Sequence, residues 1–149
     1  MKVISHSISS IDEHLETFVT ACKEAGLRVT NQRIEIYHEL AMASDHPSAE
    51  TLHQRLLLKN PTLALDTVYR SLATFARHGL INKVETVESQ ARFEATGMRH
   101  HHIICSKCSK IMDFIWQEVD SAPLPDKVGE WGRIDTRNIV IYGVCRDCL

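Results

Sequence analysis

The chain has 149 residues, of which 44% are apolar, and a formal net charge of −2, which suits one ordinary domain or two small ones, neither with a large core. The near-neutral balance excludes a protein that coats nucleic acid by bulk attraction, because that binding scales with the phosphates neutralised. No apolar run approaches membrane-spanning length, and Met1-Lys2-Val3-Ile4-Ser5-His6 lacks the long apolar stretch of a secretory signal, so a cytoplasmic location without membrane association is expected.

The first half reads as helices with clear punctuation. Ile11, Leu15, Phe18, Val19 and Cys22 share one face of a helix over about 11–25, and Gly26 stops it. Cys22 is read as a small core residue. A second helix starts at Thr30 or Asn31, carries Ile34, Ile36, Tyr37 and Leu40, and ends before His46-Pro47, since proline disfavours helix in the residue preceding it. Ser48 caps a third helix with Leu52, Leu56 and Leu57 as its apolar stripe, and Asn60-Pro61 closes it.

The fourth helix is expected to begin at Asp66 as N-cap, to bury Val68, Leu72, Phe75 and Ala76, and to stop at Gly79. Its other face offers Thr67, Arg70, Ser71, Thr74 and Arg77, hydroxyls and guanidiniums at one-turn spacing that suit base edges and phosphates in a major groove. From Asp66 to Lys83 the only acid is Asp66, and Arg28 and Arg33 add charge from the segment Gly26–Arg33. Such short basic patches serve a sequence-reading module. Segments 80–87 and 91–95 alternate weakly around a turn at Glu88-Ser89-Gln90, giving a two-stranded wing. Helices followed by a hairpin form a winged-helix pattern.

Composition changes after Thr96-Gly97, where a hinge is expected. Segments 101–105, 110–115 and 134–144 read as strands, with one short helix between Gln117 and Trp131. This small α/β unit has an exposed sheet edge that a symmetric dimer would pair. Organisation is therefore α+β, with a DNA-binding domain over 1–95, a hinge over 96–99 and a dimerisation and metal-binding domain over 100–149.

Two C-x-x-C pairs, Cys105-Ser106-Lys107-Cys108 and Cys145-Arg146-Asp147-Cys148, lie in this second half. Two such pairs complete the closed tetrahedron that a structural Zn²⁺ prefers, and in a reducing compartment they are metal ligands rather than disulfides. His100-His101-His102 stands just before the first pair as a second cluster of ligands. Strand alternation puts His100 and His102 on one face and turns His101 outward on the other. His6, His14, His38, His53 and His78 receive no ligand role.

With these elements in place, the chain resembles the ferric uptake regulator family of bacterial metal-dependent repressors along nearly its whole length. The matching residues are Gly26–Arg33, His46-Pro47-Ser48-Ala49, Thr67–Leu72, Arg92-Phe93-Glu94, His100–Cys105 and Tyr142-Gly143-Val144-Cys145. The resemblance implies a homodimer acting on double-stranded operator DNA, with Tyr69 joining Arg70 in DNA contact. It also implies a structural zinc on Cys105, Cys108, Cys145 and Cys148. A regulatory metal falls by position on His46, Glu94, His100, His102 and Asp113. Imidazoles and carboxylates without thiolate suit Fe²⁺ or Mn²⁺, and Zn²⁺ in vitro.

Within the family, Asp113 resembles the peroxide-sensing members, in which bound iron oxidises its own histidine ligands; by position these are His46 and His100. Glu94 is more usual in iron-uptake regulators, which gives the alternative of an iron-responsive uptake repressor. Arg99 and Arg137 occupy positions where many iron-uptake regulators have extra histidine ligands. A zinc-containing thiol or hydrolytic enzyme is the remaining alternative. It is disfavoured because two thiol pairs suit tetrahedral zinc better than redox work, and because no H-E-x-x-H is present.

Overall fold

The computed structural model describes residues 8–86, 90–95 and 99–149. These fall into two compact units, one ending at Ala95 and the other starting at Arg99. Residues 96–98 of the expected hinge, and 87–89 of the expected wing turn, lie outside the described residues.

The first unit contains α1 (Ile8–Glu24), α2 (Asn31–Met42), α3 (Ala49–Leu57), α4 (Leu65–Arg77) and the antiparallel strands β1 (Ile81–Glu85) and β2 (Ala91–Ala95). Helix ends follow the local chemistry read from the sequence. The backbone N–H of Leu27 donates to Cys22 O at 2.8 Å and that of Gly26 to Lys23 O at 3.1 Å, and the same two bonds recur as Leu80 to Phe75 and Gly79 to Ala76. This termination needs a left-handed residue, and Gly26 and Gly79 supply it at φ +72° and +71°. Thr30 accepts from the Arg33 N–H and Ser48 from the Thr51 N–H, both at 3.2 Å. Each cap contributes about 1 kcal/mol by satisfying an orphan donor.

The helical faces meet in one core. Phe18 stacks on Tyr37 at a centroid distance of 4.0 Å and sets its edge against Phe75 at 5.0 Å. Cys22, Ile36, Leu52, Val68, Leu72 and Phe75 are fully enclosed, and Phe93 of β2 joins the same cluster. Cys22 is a core residue as expected, and burial raises its thiol pKa.

Helix α4 departs from expectation at its start. Its N-cap is Ala64, with no side-chain cap, and Asp66 lies inside the first turn. There Asp66 still favours the helix through the dipole, and it pairs with Arg70 one turn on. Ser71, expected on the polar face, is buried, because it borders the stripe of Val68, Leu72 and Phe75.

The second unit is a three-stranded sheet in the order β4-β3-β5. Strand β3 (His101–Cys105) pairs antiparallel with β4 (Ile111–Phe114) and parallel with β5 (Val140–Gly143). The parallel pair requires a crossover, which contains α5 (Gln117–Ser121) and α6 (Asp126–Glu130). One helix was expected here; Pro123 and Pro125 divide the segment into two. A 3₁₀ turn, Arg146–Cys148, follows β5.

Strand β5 is shorter than the expected 134–144. The parallel register starts at His102 opposite Val140, so residues 134–139 have little of β3 left to pair with. The His102 N–H still donates to Ile139 O at 3.1 Å, and side chains hold the rest. The Ile139 N–H donates to His101 Nδ1 at 3.0 Å, and Arg137 donates to the carbonyls of Val119 and Ala122 at 2.9 and 2.7 Å.

His101 corrects a second expectation. It does leave the face of its neighbours, yet it points into the unit and is 0% exposed. Its Nδ1 accepts from Ile139, so Nε2 carries the proton toward Asp120 Oδ1, 2.8 Å away, and Arg99 Nε lies 3.2 Å from that same oxygen. A buried imidazole with both nitrogens engaged is a structural fixture of the strand.

Candidate metal centres and nucleic-acid interface

Four sulfurs converge in the second unit. Cys105 ends β3, Cys108 sits in the turn toward β4, Cys145 follows β5 and Cys148 closes the 3₁₀ turn. Each offers a sulfur within 4.8 Å of the other three. A tetrahedral site with metal–sulfur bonds of about 2.3 Å has sulfur–sulfur edges of about 3.8 Å, and Cys108 Sγ lies 3.8 Å from Cys145 Sγ. The Cys145 N–H donates to Cys105 Sγ at 3.4 Å. That bond, with a further N–H from Cys108, lowers the Cys105 thiol pKa to about 6. Hydrogen bonds from Cys145 and Cys108 push Cys148 the other way, to about 12. Sulfurs this close cannot all be charged without a cation among them, and the donor set fits a thiophilic ion such as zinc.

The imidazole and carboxylate residues form two groups, one in each unit. In the first unit His46 Nε2 is 2.7 Å from Glu94 Oε2, and both side chains are buried. The other Glu94 oxygen accepts from Asn82 Nδ2 at 3.3 Å across the wing ladder. In the second unit, His102 and Asp113 are register partners on β3 and β4. Asp113 sets one oxygen 3.3 Å from His102 Nε2 and the other 3.8 Å from His100 Nε2. The rings of His100 and His102 are 4.9 Å apart. Each group presents nitrogen and oxygen donors and no sulfur, a set that suits Fe²⁺, Mn²⁺ or Zn²⁺.

The polar face of α4 borders a concavity of about 420 Å³ lined by Thr67, Arg70, Ser71 and Thr74 together with Arg28, Thr30, Gln32 and Arg33. Ser71, though mostly enclosed, contributes to its floor. Tyr69 and Arg77 are exposed outside this lining, and the Tyr69 hydroxyl donates to Glu50 on α3. Thr30 and Gln32 at the start of α2 fall in the matching segment Gly26–Arg33 but outside the DNA-facing set expected on α4; their nearness to α4 depends on how the helices pack.

A second surface lies on the sheet of the second unit. Ile103, Met112, Phe114, Trp116, Glu118 and Ile141 line a groove of about 400 Å³, and Val140, Ile141 and Tyr142 along β5 are 42%, 38% and 53% exposed. Among the described residues, no helix is long and apolar enough to cross a membrane.

Comparison with known proteins agrees with this architecture. The model of the ferric uptake regulator family matches residues 24–132. The chain is 34% identical over 146 residues to the peroxide-responsive repressor PerR of Staphylococcus epidermidis, with 97% of each chain covered. Among solved structures, the ferric uptake regulator Fur of Helicobacter pylori, described as having three functional metal binding sites, superposes with a TM-score of 0.74 at 25% identity, covering 99% of this chain and 97% of that one. PerR from Streptococcus pyogenes, described for peroxide sensing and gene regulation, gives a TM-score of 0.53 at 25% identity over 91% and 93%. A winged-helix unit followed by a small α/β unit, with its histidines, carboxylates and cysteines in this order, belongs to the ferric uptake regulator family.

Proposed function

We propose that the protein is a cytoplasmic, homodimeric, metal-dependent transcriptional repressor that binds double-stranded operator DNA and releases it in response to peroxide. The observation that carries this reading is the division of sulfur-free donors between the units: His46 with Glu94 beside the winged helix, and His100 and His102 around Asp113 in the other. Neither group fills a coordination sphere alone. Held by His46, Glu94, His100, His102 and Asp113, one Fe²⁺ or Mn²⁺ would select one interdomain angle. In a dimer that angle sets the spacing of the two α4 helices, so metal affinity becomes operator affinity by linkage.

Thr67, Tyr69, Arg70, Ser71, Thr74 and Arg77 are the DNA-facing set, with Arg28 and Arg33 supplying further positive charge. Cys105, Cys108, Cys145 and Cys148 hold a structural Zn²⁺ that keeps the second unit folded. The β5 edge and the adjoining apolar groove are the surfaces a second copy covers.

Iron held by His46, Glu94, His100, His102 and Asp113 would supply redox chemistry toward H₂O₂, with one peroxide oxygen going to a ligand imidazole and the other leaving as water. His46 and His100 are the imidazoles exposed to that chemistry, and an oxidised imidazole no longer donates its lone pair. The aspartate at 113 and the PerR relatives favour peroxide sensing. A second reading, an iron-responsive uptake repressor without self-oxidation, is favoured by Glu94 and by the likeness to the Helicobacter pylori Fur structure.

The test loads the protein with Fe²⁺ or Mn²⁺, adds low H₂O₂, and measures operator binding and the masses of peptides spanning His46 and His100. Loss of binding with an added oxygen in the iron form alone supports peroxide sensing. Unchanged masses and binding would leave the uptake repressor.

A further inference from the structure

Within the first unit, His46 holds a backbone conformation that is uncommon for any residue with a Cβ. Its φ is +51°, in the left-handed region where a Cβ crowds the following carbonyl. Pro47 disfavours the right-handed helical alternative and leaves extended conformations as the usual resting place. A change of φ at His46 would turn the Cα–Cβ bond that now aims its ring at Glu94. Something must hold it.

Arg92 on β2 does so from a distance of 46 residues along the chain. Its Nε donates to the carbonyl of His46 itself, and its Nη2 donates to the carbonyl of Asp45 at 2.9 Å. The adjacent Phe93 N–H donates to Pro47 O at 3.0 Å, so three successive carbonyls of the His46 turn are gripped by two successive residues of one strand. Glu94 follows Arg92 by two positions on that strand and shares its face. Asn82 takes Glu94 Oε1, which leaves Oε2 to meet His46 Nε2 at 2.7 Å. A planar guanidinium fork can bridge two carbonyls at once; an ammonium cannot reproduce that geometry.

We infer that Arg92 is a positioning residue: by clasping the carbonyls of Asp45 and His46 it forms the His46/Glu94 half-site before metal arrives, and it thereby sets metal affinity. The inference rests on the proposed function for the assignment of His46 and Glu94 to the regulatory metal. Outer-shell groups that orient a ligand typically change metal affinity by about 10–100-fold when removed, and a gripped left-handed turn belongs with them.

The experiment titrates Mn²⁺ into the full-length, zinc-replete protein, following free Mn²⁺ by electron paramagnetic resonance, for wild type, Arg92→Gln, Arg92→Lys, His46→Ala and the His46→Ala/Arg92→Gln double variant. Arg92→Gln is expected to weaken Mn²⁺ binding by about 10–100-fold and Arg92→Lys by about tenfold, with no further loss when Arg92→Gln is added to His46→Ala. If Arg92→Gln does not fold, as judged by circular dichroism, the same comparison is made with Arg92→Lys in both backgrounds. Equal losses with and without His46 would overturn the inference, because Arg92 would then act through the fold. Unchanged affinity in the Arg92 variants, with His46→Ala weakened, would overturn it and leave the proposed function standing. Full Mn²⁺ affinity in His46→Ala would remove His46 from the regulatory site, and the role of Arg92 with it.

Discussion

His102 and Asp113 face each other across the β3–β4 ladder, with Nε2 3.3 Å from Oδ1, and the second oxygen of the same carboxylate reaches toward His100 at 3.8 Å. One short side chain thus serves two imidazoles that strand alternation has placed on one face. Strand register fixes where its Cα lies, so the length of the side chain decides where the oxygens fall.

Asp113→Glu keeps the charge and shifts the carboxylate by one methylene. The variant is expected to retain Mn²⁺-dependent operator binding and to lose its response to H₂O₂ in the iron form. Asp113→Ala, which removes the donor, is expected to weaken Mn²⁺ binding by at least about tenfold. Fluorescence anisotropy of labelled operator DNA across a metal titration reads both, and a peroxide-responsive Asp113→Glu would contradict the assignment.

Zinc retention should fail as pH falls. The Cys105 thiol is lowered from 9.0 to about 6 in the folded unit, so its thiolate advantage is complete above pH 9 and is lost as pH falls through 6. Protons then compete with the metal for all four sulfurs. A colorimetric chelator is expected to capture little zinc at pH 7.5 and progressively more at 6.5 and 5.5. Cys148→Ser should release zinc throughout and melt the second unit while the helices of the first persist by circular dichroism.

Arg70 is exposed and paired with Asp66 in the free protein. Exposed ion pairs of this kind hold weakly, so the guanidinium is available to a phosphate. Arg70→Ala is expected to lower operator affinity by about tenfold or more and, for a phosphate contact, to reduce the slope of log affinity against log salt by about one. Gel-shift titrations at several salt concentrations measure it. An unchanged affinity and slope would place Arg70 outside the interface.

Ile141 lies on β5 and lines the apolar groove with Met112 and Trp116. A lysine there would bring an unpaired charge into any dimer interface built on this surface, which is strongly unfavourable. Ile141→Lys is expected to sediment as a monomer at concentrations where the wild type is a dimer, and to lose about tenfold or more in operator affinity because both half-sites are no longer held together. A dimeric Ile141→Lys would put the interface elsewhere.

Leu72 is 0% exposed beneath the polar face of α4. Leu72→Ala is expected to cost the first unit about 2–5 kcal/mol through lost transfer energy and a residual cavity. Thermal melting should show that loss while zinc stays bound to the second unit.

Much of the molecule was legible from local chemistry. Gly26 and Gly79 end their helices because only a left-handed residue completes the two terminating bonds. Thr30 and Ser48 begin theirs because a hydroxyl can take an orphan N–H. Asp66 misled because a good N-cap residue is also favourable inside the first turn, where its charge meets the helix dipole. His101 misled in another way. Alternation correctly put it opposite His100 and His102, but which face of a strand is inside depends on what packs there, and Asp120 and the Ile139 N–H lie on that side.

The sequence by itself determined the order of the elements, the separation of thiolate donors from imidazole and carboxylate donors, and the arginines and hydroxyls on one face of α4. These depend on residue type and on spacings of a few residues, and such relations survive without a fold. The tertiary structure alone decided the long-range partners: Arg92 on the carbonyls of Asp45 and His46, Asn82 on Glu94, Arg28 and Gln32 beside α4, and Asp120 on His101. Those contacts join residues 12 to 47 positions apart, where no local periodicity carries information and only the packing of helices and strands brings donor to acceptor.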